Sequence, residues 1–124
     1  MKIYYREKSG GIEILRCFGI EGRVEIPGMI DGRLVISAAP YAFSSHMDEK
    51  EELKNASLWE VSEGLGFGRE EHVLAGNDVE EIVFPYTLKE IGRYIFYGCG
   101  NLKKLEFSDS LMQIGCGAFT GCHA

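Results

Sequence analysis

The chain ends in two copies of one 23-residue unit: residues 79–101 read VEEIVFPYTLKEIGRYIFYGCGN, and residues 102–124 read LKKLEFSDSLMQIGCGAFTGCHA. Apolar residues recur at Val79 and Leu102 and at Ile82 and Leu105. Identical residues occupy seven further positions, which are Phe84/Phe107, Leu88/Leu111, Ile91/Ile114, Gly92/Gly115, Phe96/Phe119, Gly98/Gly121 and Cys99/Cys122. Units that repeat at a fixed period bury their cores against neighbouring units.

The period of the unit predicts the fold class. Units of about 20–29 residues with apolar residues in an L-x-x-L-x-F frame are typical of leucine-rich-repeat solenoids. In the second copy, Leu105 and Phe107 alternate with Lys104 and Glu106, as expected for a short strand buried on one face. We therefore predict an α/β fold, namely a right-handed leucine-rich-repeat solenoid of mostly short parallel strands with turns and short helical segments.

The rest of the chain is interpreted by comparison with this unit. Residues 24–27 (VEIP) match residues 82–85 (IVFP), and residues 58–78 form a shorter, degraded copy. Alternating apolar residues on both sides of Gly10-Gly11 predict a β-hairpin that caps the first coil. Helix formers after residue 46 predict a short helical insertion. The predicted organisation is a single domain, 1–124, with a cap at 1–23, repeats at 24–46, 58–78, 79–101 and 102–124, and a helical insertion at 47–57.

Two stretches carry a more specific resemblance. Residues 24–45 read VEIPGMIDGRLVISAAPYAFSS, and residues 84–122 read FPYTLKEIGRYIFYGCGNLKKLEFSDSLMQIGCGAFTGC. Both closely resemble the BspA-type leucine-rich-repeat family of bacteria, whose units run I-P, then V-x-x-I-G-x-x-A-F-x-x-C, then L-x-x-I. The resemblance implies a solenoid that carries no catalytic residues. In the larger secreted members of the family, the fold is associated with adhesion and protein binding.

Composition and charge restrict the partners. The 124 residues amount to one domain. A formal net charge of −6 disfavours nucleic acid and anionic membranes as partners. No apolar run approaches the ~18–20 residues that span a bilayer, and the first residues lack the apolar region of a signal peptide. The sequence as written therefore predicts a cytoplasmic chain with no membrane insertion.

Four residues near the C-terminus suggest a zinc site: Cys99, Cys116, Cys122 and His123. Cys99 and Cys122, however, take an interior position of the repeat, whereas Cys116 corresponds to the outward Arg93. The C-x2-C spacing that is typical of structural zinc sites is missing. Side chains in register also point in the same direction, which disfavours a Cys99–Cys122 disulfide. We predict neither a metal site nor a disulfide.

Nucleotide binding and catalysis have weak signals. Gly64, Gly66 and Gly68 form G-x-G-x-G instead of the G-x-G-x-x-G of dinucleotide-binding folds, and no β-α-β pattern surrounds them. The three histidines are scattered, and no G-x-S-x-G motif is present. Acidic clusters such as residues 48–52 are typical of solvated surfaces. We predict no cofactor and no enzyme activity, and an uncharacterised enzyme ranks third among the functional hypotheses.

The outward strand positions are the leading candidates for binding another protein. A 23-residue register places Glu81 beside Lys104 and Val83 beside Glu106, and cross-strand pairs of opposite charge contribute about 0.2–1 kcal/mol. Such a surface is either a self-neutralising soluble face or the contact face of a non-catalytic protein–protein interaction module. Tyrosines at variable positions either anchor a partner or shield the corners of the coil. The predicted partner-binding set is Glu81, Val83, Lys104, Glu106, Tyr86 and Tyr97.

The alternative function concerns the last repeat. Solenoids need a polar closing unit for solubility, and neither of the two repeats at the end of this sequence has that character. Either further coils belong to a longer protein, or the edge formed by Leu111, Ile114 and Phe119 pairs with another molecule. The second case predicts a structural module that forms a homo-oligomer through its C-terminal edge.

Overall fold

Short β-strands dominate the computed structural model, which describes residues 1–61 and 71–122. The strands in chain order are β1 (Lys2–Lys8), β2 (Gly11–Gly19), β3 (Arg23–Glu25), β4 (Met29–Ile30), β5 (Arg33–Ala38), β6 (Ser57–Glu60), β7 (His72–Val73), β8 (Glu81–Val83), β9 (Glu90–Ile91), β10 (Lys104–Glu106) and β11 (Gln113–Ile114). One α-helical turn, α1 (Glu49–Glu52), precedes β6, and a 3-10 turn at Gly76–Asp78 follows β7. No helix in the described ranges is long and apolar enough to cross a membrane.

Two parallel ladders run through the repeats. In the first, β3, β8 and β10 are neighbours, and Glu81 lies opposite both Arg23 and Lys104. In the second, β2, β5, β9 and β11 are neighbours, and Gln113 lies opposite Glu90. Lys104 and Gln113 each come 23 positions after their partners, so the repeat period is the pairing register of both ladders. Each of the last two repeats therefore contributes one strand to each ladder.

The hairpin of β1 and β2 extends the second ladder at its N-terminal end. β1 pairs antiparallel with β2, and Lys8 lies opposite Gly11. The connecting residues Ser9 and Gly10 both have positive φ (50° and 82°), as in the two-residue turns that suit the twist of β-hairpins. The sequence pattern centres the turn at Gly10-Gly11, whereas the structure places it one residue earlier because Gly11 already belongs to β2.

The middle of the chain departs from the predicted succession of four coils. β6, from the predicted repeat at 58–78, pairs antiparallel with β1. β7, from the end of the same segment, pairs antiparallel with β2. β3 and β8 are direct neighbours, so no described part of this segment separates the repeats on either side. The hairpin strands offer unpaired backbone groups to β6 and β7, and the local apolar spacing of a strand does not specify which edge it joins.

Buried side chains of both ladders form one hydrophobic core. Phe43, Phe96 and Phe119 form a column in which successive ring centroids lie 5.9 Å and 5.5 Å apart. Phe84 packs against Phe43 and Phe96 at centroid distances of 6.1 Å and 6.2 Å. The repeated phenylalanine of the F-x-G-C frame is thus the element that joins one coil to the next.

Gly92 and Gly115 are required by the contact between neighbouring coils. A Cβ atom on Gly92 would lie only 2.3 Å from the backbone nitrogen of Pro40, and a Cβ atom on Gly115 would lie only 2.3 Å from that of Arg93. The sequence pattern alone predicts a tight turn at these positions. The structure gives a different reason for the glycine, because the backbone of the adjacent coil leaves no room for a side chain.

Arg16 links the hairpin to the helical insertion and the segment before it through hydrogen bonds. Its side chain is buried on β2, and its guanidinium donates to three backbone carbonyl oxygens between residues 41 and 44 at 2.6–3.1 Å. A fourth hydrogen bond, 2.9 Å long, reaches Glu49 Oε1 at the start of α1. A buried charge costs free energy unless it is paired and hydrogen-bonded, so this set of acceptors explains how an arginine is tolerated in the interior.

Candidate interaction surface

The outward residues of the first ladder form two rows across β3, β8 and β10, which together we call the strand face. Its residues are Arg23, Glu81 and Lys104 in one row and Glu25, Val83 and Glu106 in the other. Between the rows, Ile82 is buried in the core. The structure therefore has the neighbours that the 23-residue register predicts, Glu81 with Lys104 and Val83 with Glu106.

The ion pairs of the strand face are exposed and weak. Arg23 Nε lies 3.1 Å from Glu81 Oε2, whereas Lys104 Nζ lies 3.2 Å from Glu106 Oε1 on its own strand. The carboxylate of Glu81 is thus bound by the arginine of one neighbouring coil, although the lysine of the other coil lies beside it in register. Exposed pairs of this kind contribute about 0–1 kcal/mol each. A partner can therefore replace them with little loss of stability.

Val83 is an apolar position between two carboxylates. It lies beside Glu25 on one neighbouring strand and beside Glu106 on the other, at a spacing of about 4.8 Å. Glu25 is exposed, and its carboxylate lies 3.8 Å from Arg23, which is longer than a hydrogen bond. The row can therefore accept a positively charged side chain whose aliphatic stem packs on Val83.

A groove of about 460 Å³ opens where β3 and β8 end. It adjoins the strand face, because Glu25 and Val83 belong to its lining. Tyr86, one of the predicted anchors, lines the groove and is 74% exposed. Trp59, the single tryptophan of the chain, also lines it. The sequence alone could not place Trp59 here, because its strand β6 joins the hairpin through a long-range pairing.

Tyr97 belongs to a different aromatic group. Its ring centroid lies 4.8 Å from that of His46 and 5.8 Å from that of Tyr94. Tyr94 in turn stacks on Tyr41 at 5.5 Å. These rings follow strands of the second ladder, whereas Tyr86 follows β8 of the first. Tyr86 and Tyr97 thus do not form one anchor group, and Tyr86 is the one that adjoins the strand face.

The last coil presents apolar side chains on its outer side. Ile114 is 48% exposed and Phe119 is 42% exposed, while Leu111 is half-buried. Phe107, the repeat counterpart of a core phenylalanine, is exposed as well. β10 and β11 are the outermost strands of their ladders in the described part of the chain. The predicted edge residues therefore lie on one exposed coil, next to the free backbone groups of two edge strands.

All four cysteines are free thiols, and none forms a disulfide. Cys99 is buried and donates from Sγ to the carbonyl oxygen of Phe43 at 3.2 Å, and the half-buried Cys122 donates to that of Phe96 at 3.4 Å. Burial raises the pKa of Cys99 to about 12, and burial also raises the pKa of Cys122. Cys116 is exposed. The two repeat cysteines thus behave as small core residues at equivalent positions of successive coils.

Two hypotheses from the sequence involve residues outside the described ranges. These residues are His123 of the zinc hypothesis and Gly64, Gly66 and Gly68 of the dinucleotide hypothesis. Within residues 1–61 and 71–122, no group of three or more His, Cys, Asp or Glu side chains is placed to hold a metal ion.

Sequence reasoning missed a buried ionic cluster at the N-terminal end of the second ladder. The buried carboxylate of Glu13 accepts hydrogen bonds from Arg6 Nε at 2.7 Å, Lys8 Nζ at 3.0 Å and Ser37 Oγ at 3.0 Å. Lys8 also lies 2.6 Å from Glu90 Oε1. Burial by itself raises the pKa of Glu13, but the hydrogen bonds from Lys8, Arg6 and Ser37 outweigh it and lower the pKa. The available signal was a glutamate inside the apolar run IEILRCF, because a buried charge needs partners.

Comparisons with known proteins agree with this architecture. Residues 70–124 match the family model described as BspA type leucine rich repeat region (6 copies). A search of curated proteins found no match. A leucine rich repeat protein of T. pallidum is 24% identical with a TM-score of 0.65, over 94% of this chain and 42% of that one. A leucine rich cell surface protein from Faecalibacterium prausnitzii A2-165 is 19% identical with a TM-score of 0.62, over 95% of this chain and 26% of that one.

These comparisons establish the fold and the type of repeat. The chain spans less than half the length of either solved structure, and at such identities the likeness concerns the fold alone. The predicted leucine-rich-repeat fold and the predicted family resemblance are confirmed, the resemblance over residues 70–124, which match the bacterial BspA type of repeat.

Proposed function

We propose that this chain is a non-catalytic protein–protein interaction module, a right-handed solenoid with the N-terminal hairpin as its cap. The family match supports an interaction or adhesion type of repeat module. The partner contacts the strand face. The observation that carries this assignment is the row in which Val83 lies between Glu25 and Glu106, next to an open groove.

The strand face has the composition of a protein-binding surface. Interfaces typically combine an apolar, aromatic centre with a polar rim that stays solvated. Val83 and the exposed ring of Tyr86 supply the centre, and Glu25, Lys104 and Glu106 supply the rim. Because the rim ion pairs are weak in the free protein, the partner can reorganise them on binding.

A charge-exchanged variant tests the assignment. Lys104→Glu combined with Glu106→Lys keeps the net charge and the pair between these two positions, but it reverses the polarity presented to a partner. Affinity capture with the wild type, followed by titration of each purified partner, should identify a protein whose affinity falls about tenfold or more for the variant. The matched control is Lys50→Glu combined with Glu52→Lys on α1, which leaves the ladders unchanged. Equal affinity of every partner for all three proteins would contradict the proposal.

A second candidate function, self-association through the C-terminal edge, is favoured by the exposed side chains of the last coil. The edge strand β10 carries Lys104, Leu105 and Glu106. Antiparallel pairing with a second copy, about a two-fold axis at Leu105, places Lys104 opposite Glu106 of that copy. The charges are then complementary on both sides of the axis, and Phe119 and Ile114 of each copy are covered.

The charge-exchanged variant and two single substitutions separate the two candidates. Sedimentation velocity over a range of concentrations should show dimers of the wild type and monomers of Phe119→Glu. Lys104→Glu alone should weaken the dimer, because it places two carboxylates opposite each other. The charge-exchanged variant should restore the dimer while it still fails to bind a partner through the strand face. A wild type that stays monomeric at every concentration would rule out self-association.

A further inference from the structure

The groove at the end of the first ladder has aromatic and proline walls. Trp59 reaches it from β6, and Tyr86 reaches it from the segment after β8. Pro27 and Pro85 follow β3 and β8 at equivalent positions of adjacent coils. Binding pockets are typically apolar and aromatic, with a few polar groups that fix the orientation of the ligand. A volume of about 460 Å³ is sufficient for two or three side chains but not for a folded domain.

Two adjacent positions on each strand at the groove offer no backbone donor to an added strand. Prolines have no N–H group, so Pro27 and Pro85 end the ladder on this side. The preceding residues have already used their N–H groups: Ile26 N donates to Val83 O at 2.9 Å, and Phe84 N donates to Glu106 O at 2.8 Å. These four positions therefore favour a ligand that is held mainly by its side chains. An extended polyproline-II segment suits such a site because it needs no backbone ladder and packs against aromatic rings.

Charge selects among extended peptides. Glu25 lies at the rim of the groove, and Glu106 lies on the far side of Val83 in the same row. Both carboxylates are exposed. The guanidinium of Arg23 lies 3.8 Å from the carboxylate of Glu25, which is too far for a hydrogen bond. A lysine or arginine side chain in the ligand can lay its aliphatic stem on Val83 and place its charge between the two carboxylates.

From these observations, and on the basis of the proposed function, we infer that the groove binds an extended peptide segment in which an arginine or lysine neighbours proline or other apolar residues. The apolar residues of the peptide occupy the space between Trp59 and Tyr86. The cationic residue lies on the row of Glu25, Val83 and Glu106. The groove thereby determines the specificity of the strand face that it adjoins, and the partner is a protein that exposes such a segment.

Selection from a random peptide library, displayed on phage and panned against the full chain, provides the probe. Enriched peptides should carry a basic residue beside proline or apolar residues. Each peptide is then synthesised and titrated while the fluorescence of Trp59 is recorded, because this residue is the single tryptophan of the chain and lines the groove. Binding in the groove should shift its emission to shorter wavelength, since a peptide that covers the indole removes it from water.

Two pairs of variants locate the site. Tyr86→Ala should weaken the selected peptides about tenfold, and the side chain is so exposed that its removal leaves the fold intact. Met112→Ala, which removes an apolar side chain of similar exposure (82%) on the last coil, should leave the affinity unchanged. Glu25→Gln should weaken binding about threefold, and more at low salt. Glu52→Gln on α1 should have no effect.

Either of two results would overturn the inference. The first is a selection that enriches no peptide. The second is a set of peptides that bind Tyr86→Ala and Glu25→Gln as tightly as the wild type and leave the Trp59 emission unchanged. The outcome can be distinguished from that of the strand-face test through Tyr86, which the charge-exchanged variant leaves unchanged. A partner lost by the charge-exchanged variant but retained by Tyr86→Ala would preserve the proposed function and refute the peptide groove.

Discussion

The repeats at 79–101 and 102–124 carry the same residues at several core positions and bury them to different extents. Ile91 is 2% exposed and its counterpart Ile114 is 48% exposed. Phe96 is completely buried, whereas Phe119 is 42% exposed. The difference shows that the sequence of one unit does not determine its burial. In a solenoid, each coil covers the coil before it and depends on its successor for its own cover.

The coil at the other end of the second ladder has a strand of the hairpin beside it. β2 of the hairpin pairs with β5, and Ala38 and Phe43 of that coil are buried. In the described residues after 101, by contrast, β11 has a single neighbour, β9. The hairpin thus shields the second ladder on one side, while the last coil offers apolar side chains and free strand edges on the other. Four predictions use this contrast, in order of decreasing effect.

The largest difference between the two repeats is expected in the alkylation rates of their cysteines, Cys99 and Cys122. Cys99 is buried and burial raises its pKa to about 12, so alkylation requires the coils around it to open. Cys122 is half-buried on the last coil. Because local opening around a half-buried side chain is far less costly than opening of the core, iodoacetamide at pH 8 should modify Cys122 roughly 1,000-fold faster than Cys99. Peptide mass spectrometry measures both rates in one sample.

The exposed Cys116 is an internal control for reagent activity and should react first. Equal protection of Cys99 and Cys122 would show that the last coil is covered in solution. Dilution then identifies the cover, because protection by a second copy disappears at low protein concentration.

The phenylalanine pair should differ in its contribution to stability. Phe96→Ala removes a fully buried ring between Phe43 and Phe119 and should lower the free energy of unfolding by about 3–5 kcal/mol. Phe119→Ala removes a partly exposed ring that has a neighbour on one side, so it should cost about 1–2 kcal/mol. Urea denaturation followed by circular dichroism measures both values. Equal losses in dilute solution would contradict the difference in burial.

These pairs also show what the sequence could and could not predict. The 23-residue period gave the register of Lys104 with Glu81 and of Gln113 with Glu90, because identical units that stack in register must pair at the period. The period could not show that β6 joins β1 or that β3 adjoins β8, because strand alternation carries no information about long-range partners. For this reason the sequence predicted which residues are neighbours on the strand face but not the groove that Trp59 completes.

Substitution of the two repeat glycines should lower the free energy of unfolding by similar amounts, whereas substitution of the two phenylalanines should not. A Cβ on Gly92 would meet the backbone of Pro40, and a Cβ on Gly115 would meet the backbone of Arg93. Both clashes are with the preceding coil, which is present in each case. Gly92→Ala and Gly115→Ala should therefore lower the free energy of unfolding by similar amounts, about 2–3 kcal/mol. Chemical denaturation provides the measurement.

The matched control for both substitutions is Gly28→Ala. A Cβ at this position would lie 3.6 Å from the nearest atom, an ordinary van der Waals distance, and its φ is not in the left-handed region. Its expected effect is below about 0.5 kcal/mol. A mild effect of Gly115→Ala beside a severe effect of Gly92→Ala would mean that the last coil shifts away from its neighbour, so that it is less firmly attached than the core coils.

The smallest expected change in the free energy of unfolding comes from substitutions at the two ends of one row in the second ladder. The row begins with Glu13, continues through Ser37 and Glu90, and ends with Gln113. Glu13 is buried at the covered end, whereas Gln113 is exposed at the open end. Glu13→Gln weakens the charge-assisted hydrogen bonds from Arg6 and Lys8 and should lower the free energy of unfolding at pH 7 by about 1–2 kcal/mol. Gln113→Ala should change it by less than about 0.5 kcal/mol.

The pH dependence identifies the carboxylate as the cause. The hydrogen bonds to Glu13 outweigh the effect of burial, so its pKa in the folded protein is below the ordinary value of 4.5. A group with a lowered folded pKa binds fewer protons in the folded state, so its contribution is complete above pH 4.5 and is lost as the pH falls through the folded pKa. Denaturation curves between pH 7 and pH 3 should therefore converge for the wild type and Glu13→Gln. A difference that stays constant below pH 4.5 would assign the effect to packing instead of charge.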